Sequence, residues 1–199
     1  KTHIVDAYRL ARERGARRFG LHAMIVSNER KADVLLAVVR GLCRIAQQLH
    51  SELGTRLEFI NIGGGLGIPY HPEEHALDVQ SLADGIARLW HAAGLAGIKL
   101  FMEAGRYVTG PHGVLVTRVI NRKVSYRHYV GVDASMSALM RPGLYGAYHH
   151  IDVLGKTIDH RAQVVDVVGS LCENNDKFAV QRALPPVEKG DLLVIHDTG

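Results

Sequence analysis

Cysteine is scarce in this sequence, and its two residues, Cys43 and Cys172, lie far apart. Their separation matches no metal-ligand or redox spacing, so neither a disulfide framework nor an oxidising compartment is indicated. Long apolar runs are also missing: none approaches the length of a membrane-spanning helix, and the first residues lack the apolar core of a secretion signal. We therefore expect a cytoplasmic protein that does not cross a membrane.

A concentrated basic patch is absent as well, although the formal net charge is +4 and the isoelectric point is near 9.2. The basic residues are spread along the chain, except for the cluster Arg12, Arg14, Arg17 and Arg18. Such a cluster at a helix end is more often a solvated surface than a nucleic-acid site. Aromatic residues make up only 6% of the chain and form no array for base stacking. Nucleic acid is not an expected partner.

Histidine is more frequent, with 12 residues, but its arrangement does not indicate a metal site. The adjacent residues His149 and His150 are the obvious pair to consider. Successive residues of a strand point to opposite faces, so these two imidazoles cannot readily share one ion. We predict no bound metal.

The first half of the chain alternates between helical and strand patterns. With 199 residues and 47% apolar content, the chain can build a sizeable core. Apolar spacing predicts helices over 2–14, 33–53 and 79–93, and short apolar runs predict strands over 19–26, 57–62 and 98–103. This alternation predicts parallel strands joined by right-handed helical crossovers, in an open sheet or a barrel.

The pattern changes after Tyr107. Apolar, β-rich runs follow, separated by loops and without a strong helical period, over 113–120, 128–133, 163–168 and 191–195. We therefore predict two domains, an α/β domain over 1–107 and a mostly β domain over 108–199.

The segment FINIGGGLGIPY, from Phe59 to Tyr70, ends a predicted strand with the glycines Gly63, Gly64 and Gly65. Backbone N–H groups of such a turn can hold a phosphate because no Cβ prevents close approach, although a strand with a flexible turn is also possible. Ligand sites of parallel sheets lie at the carboxyl ends of the strands. Those ends also hold Ser27 and the run from Glu103 to Arg106. A phosphate-bearing ligand explains this set most simply.

Five segments, in this order, closely resemble diaminopimelate decarboxylase: INIGGGLGIPY, MEAGRYVTGPHGVLVTRVI, GVDASMSALMRPGLYGAYHHI, VVGSLCENNDKFA and GDLLVIHDTG. The resemblance covers essentially the whole chain. It implies the fold group of alanine racemase and ornithine decarboxylase, in which a (β/α)8 barrel that binds pyridoxal 5'-phosphate (PLP) is followed by a β domain. It also implies homodimers with shared active sites.

The implied activity is conversion of meso-diaminopimelate to L-lysine and carbon dioxide, the last step of bacterial lysine synthesis. A sibling decarboxylase acting on ornithine, arginine or carboxynorspermidine is the alternative within the class. Only the later part of the barrel is represented, because three barrel strands are predicted and such a sheet cannot close.

The resemblance also assigns cofactor contacts. Glu103 matches the carboxylate that faces the pyridine nitrogen, and a surface ion pair with Arg106 is its alternative interpretation. The implied cofactor-binding residues are Ser27, Gly63, Gly64, Gly65, Glu103, Gly105 and Arg106. The family usually has a histidine three residues before the serine, stacked on the cofactor ring. Here Met24 occupies that place, and His22 lies two residues earlier on the same strand face.

Substrate contacts are implied for Arg106, Arg141, Tyr145 and Glu173. Cys172 matches the proton donor that reaches the decarboxylated carbon across the dimer interface. A small buried hydrophobe is the usual alternative for a free cysteine, but the polar run CENND favours a site loop.

Three aspartates, Asp133, Asp176 and Asp197, either support the loop of Cys172 or the dimer interface, or serve as ordinary turn residues. The residues alone do not decide between these roles.

The lysine that forms the Schiff base with PLP in this family is not found in the sequence. Lys99 shares the strand parity of Glu103 but lies about 13 Å further down the strand. We therefore expect these residues to be an internal portion of a decarboxylase. A non-catalytic relative that pairs with or regulates a true decarboxylase is the alternative.

Overall fold

The computed structural model describes residues 2–199, which form two compact units. One unit comprises the chain up to Ile68 together with His75–Tyr107, and the other comprises Pro69–Glu74 and Val108–Gly199. The six residues 69–74 are grouped with the second unit, which no sequence pattern indicated. None of the helices within residues 2–199 combines the length and apolarity needed to span a bilayer.

The first unit contains three parallel strands connected by helices. Its elements, with the helix that leads out of it, are α1 (Thr2–Glu13), β1 (Gly20–His22), α2 (Ala32–Leu53), β2 (Phe59–Asn61), α3 (Val79–Ala92), β3 (Lys99–Phe101) and α4 (Gly105–Thr109). The sheet order is β1-β2-β3, and His22, Asn61 and Phe101 stand in register. The predicted alternation is confirmed, and each observed strand is shorter than the predicted one.

Local signals explain the boundaries of the two long helices. α2 ends at Gly54, whose left-handed conformation with φ 62° directs its N–H back to the His50 carbonyl. α3 begins after Asp78, whose carboxylate accepts the Ser81 N–H at 3.0 Å. The apolar stripe of α2, which includes Val39 and Leu49, packs into the core beside Ile60 of β2.

The second unit is built on a six-stranded sheet. Its elements are a 3-10 turn (Gly110–His112), β4 (Leu115–Val124), β5 (His128–Val132), α5 (Arg141–Tyr145), β6 (Ile151–Val153), β7 (Gln163–Val168), β8 (Lys177–Leu184) and β9 (Leu192–Ile195). The order is β6-β9-β4-β5-β7-β8, antiparallel except for the pair β5 and β7. The outer strands β6 and β8 also contact each other, so the sheet is curled nearly into a barrel.

All four predicted β runs of this unit are strands, whereas β6, β8 and α5 were not predicted. β8 reads KFAVQRAL, in which charged residues interrupt the alternation, and α5 is only five residues long and contains Pro142 and Gly143. Elements that are very short or lack a regular apolar pattern are held by packing rather than by their own periodicity. The core that holds them includes Val132, Phe178 and Leu193, which are essentially fully buried.

Candidate active site

The glycine run packs tightly against two neighbouring segments at the strand ends of the first unit. A Cβ added to Gly63 would collide with the carbonyl oxygen of Ala23, and one added to Gly65 would collide with that of Val26. A Cβ on Gly64 would collide with the carbonyl oxygen of Glu103. Gly63 and Gly65 also have positive φ, at 75° and 84°. Glycine is therefore required here by backbone approach and conformation.

The N–H groups of the glycine run differ in their partners. The Gly63 N–H donates to Asn61 Oδ1 at 2.9 Å, and the Gly64 N–H donates to Met24 Sδ at 3.2 Å. The Gly65 N–H has no acceptor within residues 2–199. A thioether is a weak acceptor, so Gly64 and Gly65 present two neighbouring donors that a phosphate would satisfy. This arrangement fits the phosphate group of PLP.

Glu103 lies two residues beyond β3 and faces groups from both other strands. Its Oε1 accepts from Asn61 Nδ2 at 2.7 Å and lies 3.4 Å from His22 Nε2. Its backbone N–H donates to the Gly63 carbonyl at 2.8 Å. The strand register explains why the Glu103 carboxylate lies close to both side chains, since His22 and Asn61 are aligned at the ends of β1 and β2. The structure thus brings the predicted carboxylate and the glycine run together.

The remaining predicted cofactor residues occupy the same end of the first unit. Ser27 is exposed in the segment between β1 and α2, and the Gly105 N–H donates to the Glu103 carbonyl at 2.9 Å. Arg106 follows in the first turn of α4. Met24 is 53% exposed, with its sulfur at the glycine run. Which of Met24 and His22 contacts a cofactor ring stays a prediction.

Arg141, at the start of α5, belongs to a buried polar arrangement in the second unit. Its Nη1 lies 2.8 Å from His149 Nε2, and its guanidinium carbon lies 4.8 Å from the ring centroid of Tyr70. No carboxylate within residues 2–199 forms an ion pair with this half-buried guanidinium. Tyr145, at the end of the same helix, is 78% exposed.

The loop that carries Cys172 is adjacent to α5. A Cβ on Gly143 of α5 would collide with the Asn175 carbonyl oxygen, so helix and loop pack backbone to backbone. The Cys172 thiol is exposed, and Glu173 Oε1 accepts the Asn175 N–H at 2.9 Å. The structure therefore brings the predicted residues Arg141, Tyr145, Cys172 and Glu173 onto neighbouring segments.

Asp176 holds the Cys172 loop in place. Its carboxylate is buried and accepts the N–H groups of Met136 at 2.6 Å and Leu171 at 2.7 Å. A Cβ on Gly169 would collide with this carboxylate, so the lack of a side chain at Gly169 permits their close approach. Of the three roles considered for Asp176, support of the loop is the one that these contacts favour.

The other two aspartates lie elsewhere. Asp133 Oδ1 accepts from the Thr117 hydroxyl at 2.6 Å and from the Arg118 N–H at 2.8 Å. The Thr117 hydrogen bond, followed by the bond from the Arg118 backbone, holds the pKa of Asp133 below its usual range. Asp197 lies in a bend after β9 and has a positive φ of 58°.

Three residues of these arrangements were not predicted: Asn61, Tyr70 and His149. Asn61 had a usable signal, because a polar residue at the end of a buried apolar run often lies at the site edge of a sheet. Tyr70 and His149 had none, since their contacts depend on segments that are distant in the sequence.

Comparison with known proteins identifies the family. Residues 20–199 match the family described as pyridoxal-dependent decarboxylase, C-terminal sheet domain. The chain belongs to the pyridoxal-dependent decarboxylase family. Protein TabA of Pseudomonas amygdali pv. tabaci is 52% identical over 100% of this chain and 47% of its own length. Diaminopimelate decarboxylase of Methanothermobacter thermautotrophicus is 40% identical over 98% of this chain and 46% of its own length.

A solved member of this decarboxylase family supports the same conclusion. The crystal structure of diaminopimelate decarboxylase from M. jannaschii with L-lysine superposes with a TM-score of 0.86 at 32% identity, covering 98% of this chain and 45% of that one. The predicted fold class, α/β elements followed by the mostly β domain of a PLP-dependent decarboxylase, is confirmed, and closure of the first part into a (β/α)8 barrel stays a prediction. The chain spans about half the length of the curated relatives it matches.

Proposed function

We propose that this chain works in a PLP-dependent decarboxylase that converts meso-diaminopimelate to L-lysine and carbon dioxide. The observation that carries the proposal is the half-buried Arg141 guanidinium, which has no anionic partner within residues 2–199. A charge in this position is costly unless a ligand neutralises it. α5 packs against the loop that bears Glu173, so a cation and an anion stand on adjacent segments. This pair suits a substrate end that carries both a carboxylate and an ammonium group.

The phosphate of PLP would be held by the N–H groups of Gly64 and Gly65, with Ser27, Gly105 and Arg106 as further predicted contacts. The Gly63 N–H is already bonded to Asn61, so Gly63 contributes through its conformation and its close packing. When bound, PLP supplies an electron sink for the electron pair left at the substrate Cα as carbon dioxide departs.

Glu103 would keep a proton on the pyridine nitrogen. Asn61 donates to its Oε1, which leaves Oε2 for a further partner. Arg106 and Tyr145 complete the predicted substrate contacts, and Arg141 would bind the distal carboxylate through its planar fork of donors.

Cys172 is the proposed proton donor, in a homodimer whose partner completes each site. Its exposed thiol contrasts with Cys43, which is buried and whose thiol pKa is raised by desolvation. Replacing Cys172 with Ala should lower kcat about 100-fold or more while PLP binding is unchanged, and Cys43→Ala serves as the thiol control. Unchanged turnover would remove Cys172 from this role. The cytoplasmic location and the lack of a nucleic-acid partner stay predictions.

The substrate is tested with the purified full-length protein and PLP, by measuring carbon dioxide release from diaminopimelate, ornithine, arginine and carboxynorspermidine. We expect kcat/KM to be highest for diaminopimelate, because substrates without a distal carboxylate leave Arg141 unpaired. A higher value for one of the other three would change the substrate and keep the reaction class. No carbon dioxide from any of them, and no covalent PLP adduct after borohydride treatment, would favour the non-catalytic relative instead.

A further inference from the structure

His149 is a buried imidazole that none of the roles above uses. It lies just before β6 and is 0% exposed. Its Nδ1 is 2.8 Å from the carbonyl oxygen of His196, and its Nε2 is 2.8 Å from Arg141 Nη1. Both ring nitrogens therefore have a partner inside the second unit.

The two partners determine the tautomer of His149. A carbonyl oxygen only accepts hydrogen bonds, so Nδ1 carries the proton. A guanidinium only donates, so Nε2 must present its lone pair. The ring is consequently neutral, with its single proton on Nδ1, and it accepts one N–H of Arg141.

Tyr70 holds the same arginine from a second direction. The Arg141 guanidinium lies over the Tyr70 ring at 4.8 Å, and the Tyr70 and His149 rings meet edge to face at 5.2 Å between centroids. His149 thus fixes the guanidinium by a hydrogen bond at one N–H, while Tyr70 supports its face. These two contacts restrict both the tilt and the rotation of the guanidinium plane.

We propose that His149 is a positioning residue that orients Arg141 for a substrate carboxylate without contacting the substrate itself. This inference rests on the proposed role of Arg141. A carboxylate binds a guanidinium through two parallel hydrogen bonds, and these form only when the plane of donors is presented correctly. Without an acceptor at Nε2, Arg141 turns away from this orientation and the carboxylate loses one or both bonds.

The test uses the full-length, PLP-loaded protein and the diacid pimelate, whose binding reports on a carboxylate site independently of turnover. The variant His149→Phe keeps the ring volume beside Tyr70 but removes the acceptor, and His149→Gln restores an acceptor near the Nε2 position. The adjacent His150→Gln is the matched control, because His150 bonds Asp152 and not Arg141.

We expect His149→Phe to raise the calorimetric Kd of pimelate about 10- to 100-fold and to raise KM for the amino-acid substrate similarly, with kcat changed less than about 3-fold. His149→Gln should recover most of this loss, and His150→Gln should match the wild type. In a double-mutant cycle, His149→Phe should have little further effect on pimelate binding in the Arg141→Lys background, because His149 acts only through Arg141.

Equal pimelate affinity in His149→Phe and the wild type, or no pimelate binding by the wild type at millimolar concentration, would overturn the inference. Losses that add in the double mutant would likewise show that His149 merely supports the fold. Failure of the proposed function is distinguishable, because a protein that releases no carbon dioxide can still show His149-dependent binding of pimelate.

Discussion

Removing the Asp176 carboxylate should loosen the loop that carries Cys172 and destabilise the protein. This side chain is 3% exposed and accepts the N–H groups of Met136 and Leu171. In Asp176→Ala both N–H groups lose a charged acceptor in a buried place. Each orphaned donor costs about 1–3 kcal/mol, so we expect a total loss of about 3 kcal/mol.

In a chain of 199 residues, a loss of this size should lower Tm by roughly 6–12 °C, measured by calorimetry or by circular dichroism. The Asp176→Asn variant keeps one acceptor oxygen, so its Tm should lie between those of Asp176→Ala and the wild type. Glu188→Ala, which removes an exposed carboxylate, is the control and should leave Tm unchanged.

The loop itself can be followed through the thiol of Cys172. Because Cys43 is buried, reaction with a disulfide reagent reports mainly on Cys172, and Cys172→Ser provides the background rate. Loss of the anchor at Leu171 should change the reaction rate several-fold relative to the wild type. An unchanged Tm together with an unchanged thiol rate in Asp176→Ala would refute the assignment of Asp176 as the support of this loop.

Two further predictions concern the glycine run and the acid stability of the second unit. Gly64→Ala should weaken PLP binding at least about 10-fold, because the added Cβ would collide with the Glu103 carbonyl oxygen. The control Gly41→Ala, in α2, should bind PLP normally because its Cβ would meet nothing within 4 Å. Equal PLP affinities of the two variants in a titration of the apoprotein would contradict this prediction. The pKa of Asp133 is held down chiefly by the Thr117 hydroxyl, so its contribution to stability is present above about pH 4 and is lost as pH falls through the lower folded value. In Asp133→Asn, the urea concentration at the unfolding midpoint should therefore decrease less steeply below that pH than in the wild type. An equally steep decrease would refute the stabilising role of the Asp133 carboxylate.

Elements with strong local patterns were predictable from the sequence. α2 has an apolar stripe and a terminal glycine, and both its period and its end were recognised within one or two residues. The strands of the first unit were placed correctly but drawn too long, because apolar residues continue into the segments that pack against the glycines. α5 and β6 could not be found, since five and three residues carry too little pattern of their own.

The candidate site was predictable only where a motif lies on one continuous segment. The glycine run, the segment from Glu103 to Arg106 and the loop of Cys172 are of this kind, and the resemblance assigned roles to them. Their mutual contacts depend on register: Glu103 meets Asn61 and His22 because the three strand ends are aligned.

The sequence by itself determined the family, the two kinds of domain and the residues that bear reactive groups, because periodicity and motif spacing are properties of nearby residues. Only the tertiary structure decided that Gly63 donates to Asn61, that Asp176 holds the Cys172 loop, and that His149 accepts from Arg141. The tertiary structure also decided that residues 69–74 are grouped with the second unit. Hydrogen bonds and ring contacts between distant segments form only when the sheet register and the packing of buried surfaces bring them together.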